Sequence, residues 1–194
     1  MNATSTVVSP AEAGHFVPAA TTWQVDSTHS HAEFAVRHLM ISTVKGRFAE
    51  ITGTLTGDED DPESASIDLT IPVAGIDTHE AQRDAHLRSA DFFEAEKYPA
   101  LRFRSARIAR AGNGKFTVTG DLTIRDVTKP ITLTIESGGR VRDPWGGERI
   151  GFSTSTKINR KDFGLRWNQA LETGGVLVGD EVKISVELEL KASN

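Results

Sequence analysis

The residues best equipped for chemistry lie together in RDAHLRSADFFEAEKYP, Arg83 to Pro99. Arg83, Asp84 and His86 bring an electrophile, a carboxylate and an imidazole into one short run, a set that a hydrolase or isomerase uses for proton transfer beside a polarised substrate. Histidine forms a second group. His29 and His31 fall on the same side of a strand, and together with His38, His79 and His86 they invite a metal reading, since imidazoles two apart on a strand can chelate. No HExxH or other ligand spacing joins them, so hydrogen-bonded structural roles are the plainer account and no metal ligand is assigned. Ser153 to Thr156 show no GxSxG elbow, so no serine nucleophile is read there, and the chain has no cysteine, which removes thiolate nucleophiles, disulfides and thiolate metal sites.

The elements that must carry these residues are mostly strands. Phe34, Val36 and His38 share one parity, and Ile67, Leu69, Ile71 and Val73 share another. The rhythm returns in Phe116, Val118, Leu122 and Ile124, in Leu133 and Ile135, and in Ile150 and Phe152 leading to Ile158. It is cleanest in VKISVELEL, Val182 to Leu190. Turn signals separate the segments: Gly57-Asp58, Glu59-Asp60-Asp61-Pro62, Gly112-Asn113-Gly114, Gly138-Gly139, Asp143-Pro144-Trp145-Gly146-Gly147 and Gly174-Gly175. About eight or nine antiparallel strands follow, each with one buried face. In GRFAEITGTLT the apolar parity changes between Phe48 and Ile51, which predicts a bulge there, with Gly53 easing a bend. A two-sheet sandwich and an up-and-down barrel both satisfy this pattern; aromatics spread over many strands favour the wide lining of a barrel.

One stretch breaks the rhythm. Asp77 followed by Glu80 reads as a capping-box variant and predicts a helix from Thr78 to about Ala90. Asp84 and Arg88 stand in the favourable order for an exposed ion pair, while His79, Arg83 and His86 make a basic stripe. Leu87 is the only large apolar residue before Ala90, so this helix must lean across one end of the sheet as a lid. Phe92 and Phe93 would follow as a plug with one ring facing inward, because neighbours on a regular element point apart. Tyr98-Pro99 would then turn the chain into the strand from Leu101.

Composition sets the outer limits. The 194 residues carry a net charge of −5 without any long Lys/Arg cluster, so the footprint of a nucleic-acid binder is missing. No run of about 18 apolar residues occurs and the N-terminus lacks a basic leader, which predicts a cytoplasmic protein without stable membrane insertion. Residues 1–21, rich in Ala, Thr, Ser, Val and Pro, read as a flexible arm before a single domain over 22–191.

Asp26, His29, Phe34 and His38, then Gly46-Arg47-Phe48, RDAHLRSADFF, Tyr98-Pro99, GDLTIRDVTKPITL, DPWGG and Arg160-Lys161-Asp162-Phe163-Gly164 occur in this order between about Thr22 and Leu190. In that combination the chain resembles the YceI-like family of lipid- and polyisoprenoid-binding proteins. The resemblance implies an all-β fold, an extended antiparallel eight-stranded lipocalin-like barrel with one short lid helix. Its apolar interior would hold a polyisoprenoid or isoprenoid quinone, with no obligate metal or other cofactor, in a homodimer. Many members carry a signal peptide, a feature this N-terminus does not match. The ligand would then run past Phe34, Val36, His38, Phe48, Ile51, Ile67, Leu69, Ile71, Phe103, Leu122, Phe152, Phe163 and Trp167, with the plug formed by Phe92 and Phe93. Arg83 and His86 would meet a polar or anionic head group such as a quinone or phosphate. The alternative is an enzyme acting on an amphipathic substrate at Arg83, Asp84 and His86.

Overall fold

Period-two alternation folds as expected into strands whose apolar parity turns to one side. The computed structural model describes residues 20–58, 61–171 and 175–193. In chain order these form β1 (Thr21–Val25), β2 (His31–His38), β3 (Ser42–Phe48), β4 (Thr52–Gly57), β5 (Ser66–Pro72), β6 (Ile76–Asp77), α1 (Ala81–Arg88), β7 (Ala100–Gly112), β8 (Lys115–Ile124), β9 (Val127–Arg142), β10 (Glu148–Asn159) and β11 (Val178–Ala192). Most of the arm predicted before Thr22 lies outside the described residues, and the first strand opens at Thr21.

The order β1-β4-β5-β7-β8-β9-β10-β11 closes when β11 pairs back onto β1, from Trp23↔Ala192 to Val25↔Leu190. A closed eight-strand antiparallel barrel results, which decides between barrel and sandwich. Three of its staves are interrupted. Along one edge of β11, β1 gives way to β2; β3 pairs with β2 and with β6, so β2, β3 and β6 extend β1, β4 and β5 towards the α1 end. At residues 49–51 a full break therefore replaces the predicted bulge: Ala49 N donates to Gly75 O (2.9 Å), and Ile51 turns into the interior. Gly53 is required next to that break, because its φ is +151° and a side-chain carbon there would meet Asp68 O at 2.1 Å.

The lid helix is shorter than its sequence suggests. Asp77 Oδ1 accepts from His79 N (2.9 Å) in a local turn and leaves the cap to Glu80, whose carboxylate accepts from Gln82 N (3.1 Å) and Arg83 N (2.6 Å). α1 thus starts at Ala81, and His79, at φ +60°, stands outside it and off the predicted stripe. Asp84 does not pair with Arg88. It is buried, and its Oδ1 accepts from Thr78 N (2.9 Å) and Thr78 Oγ1 (2.5 Å), while Arg88 donates to Ala74 O and Ile76 O. Polar anchoring to β6 thus offsets the small apolar face of the helix.

Candidate functional site: a cavity inside the barrel

Two groups of buried side chains fill the barrel only in part. Val73, Phe92, Leu101, Ile124, Phe163 and Leu165 cluster at the α1 end, and Ile67, Phe103, Ile108, Val118 and Leu133 form the second cluster. The inward faces of the strands line a cavity of about 870 Å³ that opens to solvent. Packed interiors hold few voids larger than a water molecule, whereas ligand pockets span roughly 300–1,000 Å³. The walls are the apolar parity of β2, β5, β8, β10 and β11, so the lining is overwhelmingly aliphatic and aromatic.

Of the residues expected from sequence, Phe34, Val36, His38, Phe48, Ile51, Ile67, Leu69, Ile71, Arg83, His86, Phe92, Phe93, Phe103, Leu122, Phe152 and Trp167 all border this space. Phe163 does not. It lies in the 3-10 turn Arg160–Phe163 after β10 and is buried against the cluster at the α1 end. Phe92 and Phe93 both reach the cavity, because residues 89–98 form irregular turns in which adjacent side chains need not diverge. Phe93 stands edge-on to Phe48, with ring centroids 6.2 Å apart, and Phe48 in turn is 5.8 Å from Phe34. Trp145 is exposed at the tip of the turn between β9 and β10, at the opposite end of the barrel from α1.

Polar groups gather at the α1 end. Arg83 donates through Nε to Thr78 Oγ1 (2.7 Å) and through Nη2 to Thr78 O (2.8 Å), which fixes the guanidinium on the cavity wall. His86 Nε2 lies 2.8 Å from Asp91 Oδ2, and its ring stands edge-on to Trp167 (4.6 Å) and Phe92 (5.1 Å). Asp84 is absent from the cavity wall, its carboxylate being engaged by Thr78. The Arg83, Asp84 and His86 constellation drawn from sequence is therefore not assembled around a common substrate position.

Sequence reasoning missed Arg160 as an individual residue, although it saw the run that contains it. Arg160 is 3% exposed and donates to Leu165 O (2.6 Å), Trp167 O (2.8 Å) and Gly179 O (2.8 Å), so it gathers the segment after β10 over the cavity end. Burial pulls its guanidinium below the usual arginine value, opposed by the charge of Asp180. Asp91 was also missed; its link to His86 spans the turn after α1 and has no periodic signal.

The expected placement of His29 and His31 on the same side of one strand does not hold either. His29 falls in the break before β2, beside Asp26 and Glu189, and His31 opens β2 facing solvent. Asp26, His29 and Glu189 have ligand atoms within 4.8 Å of one another, yet a guanidinium already stands among them: Arg149 Nη1 is 2.6 Å from Asp26 Oδ2 and 2.7 Å from Glu189 Oε1. Arg149 Nε also reaches Asp143 Oδ2 (3.1 Å), tying the DPWGG turn to the break between β1 and β2. The hydrogen bond from Thr28, helped by those from Arg149 and His29, holds the Asp26 carboxyl far below the usual carboxylate range against the opposing effect of burial. The Arg149 guanidinium likewise lowers Asp143.

The model of the YceI-like domain matches residues 23–190. The chain belongs to the YceI-like family. A UPF0312 protein of Photorhabdus laumondii is 43% identical over 142 residues, covering 73% of this chain and 73% of that protein. The crystal structure of BcnA from Burkholderia cenocepacia aligns with a TM-score of 0.75 at 25% identity, covering 85% of this YceI-like chain and 98% of BcnA. A polyisoprenoid binding domain from Saccharophagus degradans, implicated in plant cell wall breakdown, aligns with a TM-score of 0.67 at 16% identity, over 88% of this chain and 98% of that domain, and so shares its fold.

Proposed function

We propose that this YceI-like barrel binds an isoprenoid-type lipid, its polyprenyl chain in the cavity, as a carrier or storage protein. The single observation that carries the reading is the cavity of about 870 Å³ with a predominantly apolar lining. At about 0.8 kcal/mol per buried CH₂, each five-carbon isoprene unit supplies roughly 3 to 4 kcal/mol of gross driving force before ordering costs. Such a force is non-directional, which suits a wall that offers few hydrogen bonds. The polar head, a quinone or a phosphate, lies at the α1 end, where Arg83 and His86 meet the cavity. That the Saccharophagus domain of the same fold is a polyisoprenoid binding domain supports the same ligand class. The barrel holds its ligand without chemistry, since Asp84 is occupied in anchoring the lid.

Organic-solvent extraction of the purified protein followed by mass spectrometry tests the reading. A polyprenyl compound recovered near equimolar amounts supports it. Protein that is consistently empty and takes up neither prenols nor isoprenoid quinones contradicts it.

A further inference from the structure

The loop joining β2 to β3 carries two costs that the barrel does not need. Met40 is 57% exposed and Ile41 80% exposed, so two large apolar side chains project into solvent at one tip. Leu39 and Met40 also have φ of +50° and +59°, left-handed conformations that hairpin turns ordinarily give to Gly, Asn or Asp. Such strain persists only where neighbouring contacts impose it, and it concentrates at working sites. Here Leu39 N donates to Leu177 O (2.9 Å), and the Arg37 guanidinium donates to Met40 O (2.6 Å) and Thr43 Oγ1 (3.2 Å). The tip is thus held out. Beside it Val176 adds a further exposed apolar side chain.

The surroundings are cationic in a chain of net charge −5. On the outer wall below the tip, Lys45 on β3 and Lys183 on β11 flank Ala35 on β2, and Arg37 follows two residues further towards the tip. Lys45 and Lys183 form no ion pair among the described residues, whereas the acids near them on β11, Asp180 and Glu181, are paired with Lys161 and Lys157. Glu33 lies two residues lower on β2, opposite Arg47, whose guanidinium is paired with Asp77. The tip also adjoins the cavity, because His38, Leu177 and Val178 all border it.

We infer that the β2–β3 tip is a docking element for an anionic lipid bilayer: Met40 and Ile41 enter the interfacial region while Arg37, Lys45 and Lys183 meet the head groups. The arrangement, apolar side chains projecting beyond a basic collar, is the one that binds such interfaces. A second copy of the chain fits less well, since a convex tip of a few side chains cannot supply the roughly 800 Å² per partner of a standard interface. The inference rests on the lipid-binding reading for its purpose: a protein that loads a water-insoluble chain must present its cavity to the membrane holding it.

Flotation of the full chain with phosphatidylcholine vesicles, with and without phosphatidylglycerol, tests the docking element. Wild type floats with the phosphatidylglycerol vesicles, and added salt weakens the association. Met40→Ser with Ile41→Ser abolishes it; Lys45→Gln and Lys183→Gln each lower the partition coefficient about fivefold; Trp145→Ser, at the far end, leaves it intact. Wild type that stays off anionic vesicles, a double serine variant that still floats, or loss of binding on Trp145→Ser overturns the inference. So does a wild-type dimer that the double serine variant converts to monomer in light scattering, which assigns the tip to a second copy. Uptake of a prenol delivered from cyclodextrin separates the two proposals: the double serine variant still takes it up if the cavity binds lipid, and if wild type takes up none while floating on vesicles, the lipid-binding reading alone fails.

Discussion

Gly46→Ala probes where the barrel has slack. Gly46 on β3 pairs with Phe34 on β2, and a methyl group at position 46 would lie 2.3 Å from Phe34 Cζ and 2.7 Å from Phe34 Cε1. It would also approach Thr78 Cγ2 at 2.8 Å, but Thr78 is buried and clamped by Asp84 and Arg83. The Phe34 ring, which borders the cavity, is the part able to move, and the open direction is inward. Overpacking a filled core costs about 1–3 kcal/mol, while Gly→Ala within a strand returns about 0.5–1 kcal/mol. With a void to receive the ring, the net loss falls below about 1 kcal/mol, a shift in Tm of under about 4 °C for a chain of this size. Binding suffers more. A ring pushed into the lumen excludes about one isoprene unit, roughly 3–4 kcal/mol of gross burial, so affinity for a long prenol falls at least tenfold and at most several hundredfold. Thermal melting and titration of delipidated protein with a fluorescent prenyl probe measure the two effects, and Phe34→Leu in the Gly46→Ala background restores binding. A large fall in Tm with unchanged affinity refutes the reasoning, because the wall would then have yielded instead of the lumen.

Other consequences follow from the anchors of the lid and the barrel end. Asp84→Ala leaves Thr78 N and Thr78 Oγ1 without their acceptor in a buried site, which costs about 2–4 kcal/mol in urea unfolding and accelerates amide exchange over α1; unchanged exchange would mean that the helix is held by other means. Arg160→Met deprives several carbonyls of their buried donor, so a loss of about 3 kcal/mol or more and faster proteolysis between residues 161 and 171 are expected; a stable, protease-resistant variant contradicts that role. Acid should weaken the fold in a defined window. Asp26 and Asp143 titrate below their ordinary values when folded, so their stabilising effect is complete above the unfolded carboxylate pKa of about 3.9 and is lost as pH falls below it towards the folded values. Urea midpoints measured from neutral pH down to pH about 3 check this, and Arg149→Gln flattens the acid limb; an unaltered limb contradicts the assignment.

Much of the barrel was legible because one face of each long strand is apolar and the other wet. In β11 the alternation from Val182 to Leu190 marks the cavity wall residue by residue, and Val182, Ile184, Val186 and Leu188 all border the lumen. The same logic placed Phe34, Val36 and Leu69 on the wall, while closure of the barrel, a long-range pairing of residues 23–25 with 190–192, left open by the strand pattern, was implied by the family motifs. What failed had no periodic signature. Asp77 resembled a helix cap, but its carboxylate was captured by a turn two residues on, and capping passed to Glu80. Asp84 and Arg88 had the spacing of a surface pair; the approach of Thr78, the residue after β6, drew the carboxylate inward. Arg160 gained its function only when the carbonyls of Leu165, Trp167 and Gly179 converged on it. Phe163 had the right chemistry for a lining residue, and the turn that carries it pointed the ring into packed core instead.

The claim beneath all of this is that the hollow accepts a hydrocarbon chain. Native mass spectrometry of delipidated protein mixed with an unlabelled long-chain prenol measures it directly. The account predicts a complex of one prenol per chain that is abolished by Leu69→Arg, a charge placed on the cavity wall. Absence of any complex, or one that forms equally with the Leu69→Arg protein while its fold is intact, would contradict it.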